Sequence, residues 1–213
     1  MEDYPQYIKG CDMVSFDIYP VVHETPEITG KLEYVARGVE RLVKWTDGKK
    51  PAWNCIECTD INGVGRKATV AQVRSEIWMG LIRGSRGIVY FVHQFKPGFK
   101  EAALLSDPEM LTGVTAINRQ IKDLAPVLNS PTITGELSTA PATPVITMHK
   151  RQGGSAYVFA VNLSPRPAAV SYSLKDTAVT KAEVLGESRE VKVEAGKFAE
   201  EFDGYAVHLY RLK

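Results

Sequence analysis

Apolar positions along the chain follow two patterns that meet near residue 128. Over residues 1–128 a short apolar run is followed by a turn and then by a segment whose apolar residues recur three and four apart, and this unit occurs three times. A helix buries one face every 3.6 residues and a strand needs a run or an alternation, so the pattern predicts three βα units. The first strand is expected over 11–20 (CDMVSFDIYP), ended by Pro20. Thr29 is then expected to cap a helix with the stripe Leu32, Val35, Ala36, Val39, Leu42 and Val43, stopped by Asp47-Gly48. The second strand covers 51–58 (PAWNCIEC), with a polar loop over 59–67 and a helix burying Val70, Val73, Ile77 and Leu81. The third, 87–95 (GIVYFVHQF), is nearly all apolar, as a strand covered on both faces should be. Asp107-Pro108 supplies the N-cap and first position of a last helix that turns Leu111, Val114, Ile117, Ile121 and Leu124 inward. The strand starts lie 40 and 36 residues apart, the spacing of parallel crossovers.

From Asn129 the segments become short and alternating, bounded by Gly, Pro, Ser and Asp. Strands are expected near 145–149, 156–163, 169–174, 179–185, 190–193, 197–202 and 205–212, which together predict an antiparallel sandwich. Residues 129–143, interrupted by Pro and Gly, read as a linker. Two domains follow: 1–128, built of three βα units, and 129–213, all β.

Composition removes several function classes. The 213 residues are 44% hydrophobic and 24% charged, proportions of an ordinary folded protein. Lys plus Arg number 26 against 25 Asp plus Glu, and from Asn129 onward the counts are 10 and 9. No excess of positive charge is available to release counterions from nucleic acid or to adhere to anionic lipid, so neither partner is expected. No apolar run approaches the roughly 20 residues of a membrane span, and Met1-Glu2-Asp3-Tyr4 lacks the basic and apolar regions of a signal peptide. A cytoplasmic location is the default expectation. Cys11, Cys55 and Cys58 are odd in number and too few for a disulfide scaffold, which predicts reduced thiols.

The candidate chemistry gathers at strand ends. Glu57 closes an apolar strand at the edge where parallel α/β proteins place reactive groups, although a charged residue at a strand-loop boundary is the competing reading. Burial there raises a carboxyl pKa, so a donor such as Tyr19 would have to compensate. Asp17 and Tyr19 share strand parity and point to one face. His93 and Gln94 interrupt the third strand near its end, so one of them faces inward. Trp53, Phe95 and Phe99 could offer flat faces to a sugar, or simply fill a core. Cys55 and Cys58 form C-x-x-C, but on an extended strand residues three apart diverge, so no metal site is expected. Gly63 and Gly65 match neither phosphate-loop pattern and suggest a flexible rim loop; no cofactor is expected.

These segments resemble the last part of a retaining glycoside hydrolase with a (β/α)₈ barrel, of the β-galactosidase-like group with two catalytic glutamates. Residues 12–20 (DMVSFDIYP) resemble its sixth strand, where a tyrosine sits beside the nucleophile, and Trp53-Asn54-Cys55-Ile56-Glu57 resembles the seventh, which delivers that glutamate. Residues 74–91 resemble the seventh helix and eighth strand, while 157–165 (YVFAVNLSP) and 204–212 (GYAVHLYRL) resemble the C-terminal β domain. The resemblance implies a truncated (β/α)₈ barrel segment followed by an antiparallel β-sandwich. It implies that Glu57 is the nucleophile, with Tyr19 beside it and Asp17 on the same interior face; His93 is a further catalytic candidate, against the competing reading of a satisfied buried histidine, and Trp53, Gln94 and Phe95 are candidates to bind substrate.

A full barrel takes about 200–250 residues, and only the first 128 here are of α/β character. The family's acid/base glutamate has no counterpart, yet retaining hydrolysis needs two carboxyl groups about 5–5.5 Å apart. The sequence therefore suggests a hydrolase of glycoside hydrolase descent acting on a carbohydrate glycoside or an activated ester, with Glu57 as nucleophile or base. A carbohydrate-binding or interaction module without turnover, and a fragment of a longer glycosidase, stand as alternatives. Open edges on a three-stranded sheet predict a homo-oligomer.

Overall fold

A computed structural model of the protein describes residues 3–140 and 142–213. The chain divides into two compact units, Met1–Ile117 and Asn118–Lys213, the division falling inside a helix.

In the first unit a short helix α1 (Tyr4–Tyr7) precedes β1 (Val14–Asp17), α2 (Glu33–Trp45), β2 (Ala52–Glu57), α3 (Val70–Ile82) and β3 (Ser85–Phe91). The strands form one parallel sheet in the order β1-β2-β3, with Val14 opposite Ala52, Asp17 opposite Cys55 and Glu57 opposite Phe91. Period-two alternation divides the sheet into unlike faces. Ala52, Asn54 and Ile56 are buried toward the helices, whereas Ser15, Asp17, Trp53 and Val89 on the other face are exposed. Phe16 packs so closely on α2 that a Cβ at Gly38 would lie 2.0 Å from its ring. Trp53 lies over Gly87 in the same way, 2.5 Å from where a Cβ would stand.

The helices start where local chemistry allows. Thr69 accepts the amide of Gln72, whose side chain returns to the Thr69 amide, a complete capping box at the start of α3. Asp107 accepts from the Met110 amide at 3.1 Å and opens α4 (Pro108–Leu128), the helix that spans the division. Thr29 does not cap α2. Its hydroxyl donates to the carbonyls of His23 and Thr25 in a separate turn, and α2 begins after Leu32 with no side-chain cap. The helix forms because Val35, Ala36, Val39 and Leu42 are buried, so packing outweighs the missing cap.

The second unit holds β4 (Leu137–Thr139), β5 (Val145–Gln152), β6 (Ser155–Asn162), β7 (Ala168–Leu174), β8 (Lys181–Val184), β9 (Arg189–Lys192), β10 (Lys197–Phe202) and β11 (Val207–Leu212). They make a five-stranded sheet, β5-β6-β11-β8-β9, and a three-stranded one, β10-β7-β4, antiparallel throughout. Val158, Ala160, Val184 and Tyr210 of the first and Val170, Tyr172, Phe198 and Phe202 of the second share one buried cluster, as a sandwich requires. The stretch 129–143, expected as linker, contributes β4 as an edge strand beside β7. No helix of the described residues is long and apolar enough to cross a membrane.

Candidate functional site

The C-terminal ends of β1, β2 and β3 bring together most of the residues singled out above. Around β3 they form a chain of aromatic rings. Phe91 lies 5.2 Å from Tyr19, 5.8 Å from His93 and 5.8 Å from Phe95, and Phe99 stacks on both His93 and Phe95 at 5.9 Å. Phe95 is 52% exposed and Phe99 63%, so the outer end of this chain is an open platform of flat apolar surface. Exposed apolar patches of this kind mark binding surfaces more often than isolated apolar side chains do.

Beside the platform, Asp17 is exposed, and its charge is felt by the Tyr19 phenol. Burial, then the charges of Asp17, Cys55 and Glu57, push the Tyr19 hydroxyl far up, so it remains a proton donor at neutral pH. The His93 Nδ1 accepts the Ala102 amide at 3.3 Å, which leaves Nε2 as its free ring nitrogen. Its carbonyl takes the Thr59 hydroxyl at 2.6 Å.

Glu57 occupies a different setting. It is fully buried, and its two oxygens accept the backbone amides of Val21 at 2.7 Å and Val22 at 2.9 Å. Glu76 on α3 is likewise wholly buried, and neither of its oxygens has a hydrogen-bond partner among the described residues. Burial raises the Glu57 pKa while the two amides and Glu76 pull it down, and the net direction is up. Burial and the Glu57 charge push Glu76 well above the usual carboxylate range. The groups among the described residues that orient Glu57 are thus the amides of Val21 and Val22, and no hydrogen bond from Tyr19 reaches it.

Two of the expected residues, Trp53 and Gln94, lie outside this convergence. Trp53 stands on the same face as Asp17 but four residues before Glu57, roughly 13 Å along the strand. Gln94 is committed to its own loop, its side chain donating to the Lys96 carbonyl at 2.6 Å while its backbone pairs with Lys100. Cys55 is half-buried on the open face, while Cys58 is buried and its thiol, pushed up to about 12 by burial and then by Asp107, Glu57 and Glu76, donates to the Phe91 carbonyl at 3.1 Å. Among the described residues no group of three or more His, Cys, Asp or Glu is placed to hold a metal ion. The loop over 59–67 is folded on itself, since Asp60 accepts the amides of Val64 and Gly65 at 3.0 and 2.9 Å. Gly63, at φ +65°, sits where a Cβ would meet the Lys96 carbonyl at 2.6 Å.

Glu76 was missed in the sequence because a lone glutamate in a helix reads as solvated surface. A signal existed: it lies three residues after Val73 and four before Gly80, both on the face that packs the sheet.

No family model and no curated protein matches the sequence. Solved structures do match the fold. The α-amylase of Geobacillus thermoleovorans, complexed with acarbose, aligns over 99% of this chain and 51% of its own at 13% identity, with a TM-score of 0.62. A putative α-N-acetylgalactosaminidase from Bacillus halodurans covers 85% of this chain and 42% of its own, at 13% identity and TM-score 0.56. A GH30 endoxylanase from Clostridium papyrosolvens covers 97% and 50%, at 12% identity and TM-score 0.51. The protein therefore has a glycoside hydrolase-like fold. It spans about half the length of these structures.

Proposed function

We propose that this chain is the C-terminal part of a carbohydrate-acting hydrolase of glycoside hydrolase descent, a truncated barrel segment joined to its β-sandwich. The observation that carries the reading is the exposed aromatic platform of Phe95 and Phe99 at the C-terminal strand ends, beside Asp17 and Tyr19. Pyranose rings present C–H faces that lie against aromatic rings, and their hydroxyls need acceptors and donors at the rim. Asp17 supplies the first and the Nε2 side of His93 the second. Glu57 is the inherited reactive carboxylate in this reading: once the segment carrying Val21 and Val22 frees an oxygen, it attacks an anomeric or acyl carbon as the aryloxide leaves, and water then cleaves the glycosyl ester or anhydride so formed and restores the carboxylate.

Hydrolysis of a stable glycoside would also need a proton on the leaving oxygen. General acid assistance contributes typically 10²–10⁴-fold, so without a second carboxyl in range only activated aryl glycosides or esters are expected to react. Binding without turnover is the second reading, favoured by the complete burial of Glu57. Chromogenic aryl glycosides and esters, assayed with Glu57→Gln in parallel, separate the two. Turnover lost in the folded variant supports the hydrolase. Oligosaccharide binding weakened about 3- to 10-fold by Phe99→Ala, with no turnover in either protein, supports the binding module. Neither turnover nor binding would defeat both.

A further inference from the structure

Sandwich strands alternate, and a residue pointing between the sheets belongs to the apolar core unless a polar partner meets it there. Two such positions in the β unit carry ionisable groups. Glu200 stands between Phe198 and Phe202 on β10, and His208 shares parity with Tyr210 on β11, so both point inward beside core aromatics. Glu187, in the turn between β8 and β9, and Arg189, at the start of β9, complete the set. His208 Nδ1 lies 2.5 Å from Glu187 Oε1, and Arg189 reaches Glu187 at 2.9 Å and Glu200 at 2.7 Å. The Tyr210 hydroxyl donates to Glu200 at 3.3 Å, and the His208 ring stands edge-on to Phe202 with centroids 4.5 Å apart. The β8–β9 hairpin, β10 and β11 thus hold one network of mutually fixed side chains. It walls a groove of about 730 Å³, a size that suits a small ligand. The rest of the wall is small and apolar at Pro167, Ala169, Ala199 and Ala206, with the carboxylates of Glu201 and Asp203 beside it.

We propose that this groove binds a neutral polyhydroxylated ligand, the end of an oligosaccharide. A carboxylate only accepts, so His208 Nδ1 donates to Glu187, and in the neutral ring Nε2 is an acceptor on the side away from that carboxylate. Next to it stand the guanidinium of Arg189, a donor, and the carboxylate of Glu200, an acceptor. A ligand here must offer donors and acceptors on adjacent atoms, as vicinal hydroxyls do, because each hydroxyl is both. The network fixes its own members, so little side-chain freedom is lost on binding. The alanine and proline carbons give the C–H groups of a sugar an apolar wall. An anion is disfavoured, since the carboxylates of Glu187, Glu200, Glu201 and Asp203 surround the guanidinium of Arg189. A metal ion is disfavoured too, since no three His, Cys, Asp or Glu side chains among the described residues are placed to hold one. Inward charges that merely keep a sheet edge from pairing need neither this wiring nor a groove. The site lies wholly in the β unit and involves neither Glu57 nor the platform of Phe95 and Phe99, so it stands whether or not the chain turns over a substrate.

The test is an NMR titration of the whole ¹⁵N-labelled chain with maltotriose and with xylotriose, beside galacturonate and protonated glucosamine as the anionic and cationic controls. A neutral trisaccharide is expected to shift the His208 imidazole signals and the amides of β10 and β11, with a Kd of about 0.1–10 mM. Galacturonate should leave them unmoved. Ala199 is exposed on the groove wall, so Ala199→Trp fills the groove without removing any charged group and should weaken binding about tenfold or more. His208→Phe keeps a ring against Phe202, removes both nitrogens and should weaken binding about threefold or more. Phe99→Ala should leave the groove shifts unchanged, which separates this site from the platform. No shift at the groove with either trisaccharide at about 50 mM, equal affinity in Ala199→Trp, or binding of one charged sugar alone would overturn the proposal. The spectra of the variants report their folding, and if neither folds the titration of the unmodified chain decides. Groove shifts in a chain without turnover keep this site and count against the hydrolase reading, while turnover with a silent groove does the reverse.

Discussion

In the β unit the large buried rings meet one another. Tyr172 lies flat on Phe198 with centroids 4.4 Å apart, and Tyr210 stands edge-on to both. Its ionic groups are mostly paired across charge, as where Arg189 reaches Glu187 at 2.9 Å and Glu200 at 2.7 Å. The α/β unit distributes its polar groups differently. One sheet face is packed under helices, the other carries exposed Trp53 and Val89, and two carboxyls, Glu57 at the end of β2 and Glu76 on α3, are wholly buried. Staying folded gives no use for an open apolar strand face or for buried carboxyls. Such features cost stability and are characteristic of surfaces that bind or react.

The contrast can be tested by its largest effect first. Phe202, wholly buried between the two β sheets, should cost about 3–5 kcal/mol when replaced by Ala, measured by denaturant unfolding. On the covered face of the parallel sheet, Gly38→Val forces a side chain into the ring of Phe16 and should cost about 1–3 kcal/mol by the same measurement.

Next comes the pH dependence of the α/β unit. Unfolded glutamates ionise near pH 4.3, whereas in the folded chain burial, and then the Glu57 charge, hold Glu76 protonated well above that. The folded state then binds more protons than the unfolded one, so stability falls as pH rises from about 4–5 and levels off once Glu76 has ionised too. The slope approaches about 1.4 kcal/mol per pH unit for one proton. Glu76→Gln should remove that slope in denaturation curves taken across pH, and a slope unchanged by the substitution would show that Glu76 is not its source.

The smallest change in stability is expected on the bare face. Val89 is 39% exposed, and Val89→Lys should shift unfolding by no more than about 0.5 kcal/mol. The same substitution sharpens the expectation of self-association: β1 and β3 each have one strand neighbour among the described residues. Light scattering should find an oligomer at micromolar concentration and a lower mean mass for the Lys variant. A monomer in both would remove the bare face as an association surface.

Where strands and helices lie was legible because local patterns are strong enough to act alone. Residues 51–58 alternate and end at a charge, and β2 runs from Ala52 to Glu57; Asp107 caps α4 as its side chain dictates. Thr29 shows the limit of that reasoning, since a good capping residue was taken by a turn to His23 and Thr25. β4 escaped because three residues make no pattern, and it is a strand only through its pairing with β7. Tyr19, His93 and Phe95 lie around Phe91, since all three follow strands of one parallel sheet. That Gln94 would turn to Lys96, and that Glu57 would be buried under the amides of Val21 and Val22, was decided only by tertiary structure. The physical reason is range. Periodicity and capping act over a few residues, whereas the ionisation and partners of a buried carboxyl depend on which distant atoms the fold leaves within about 3 Å of it.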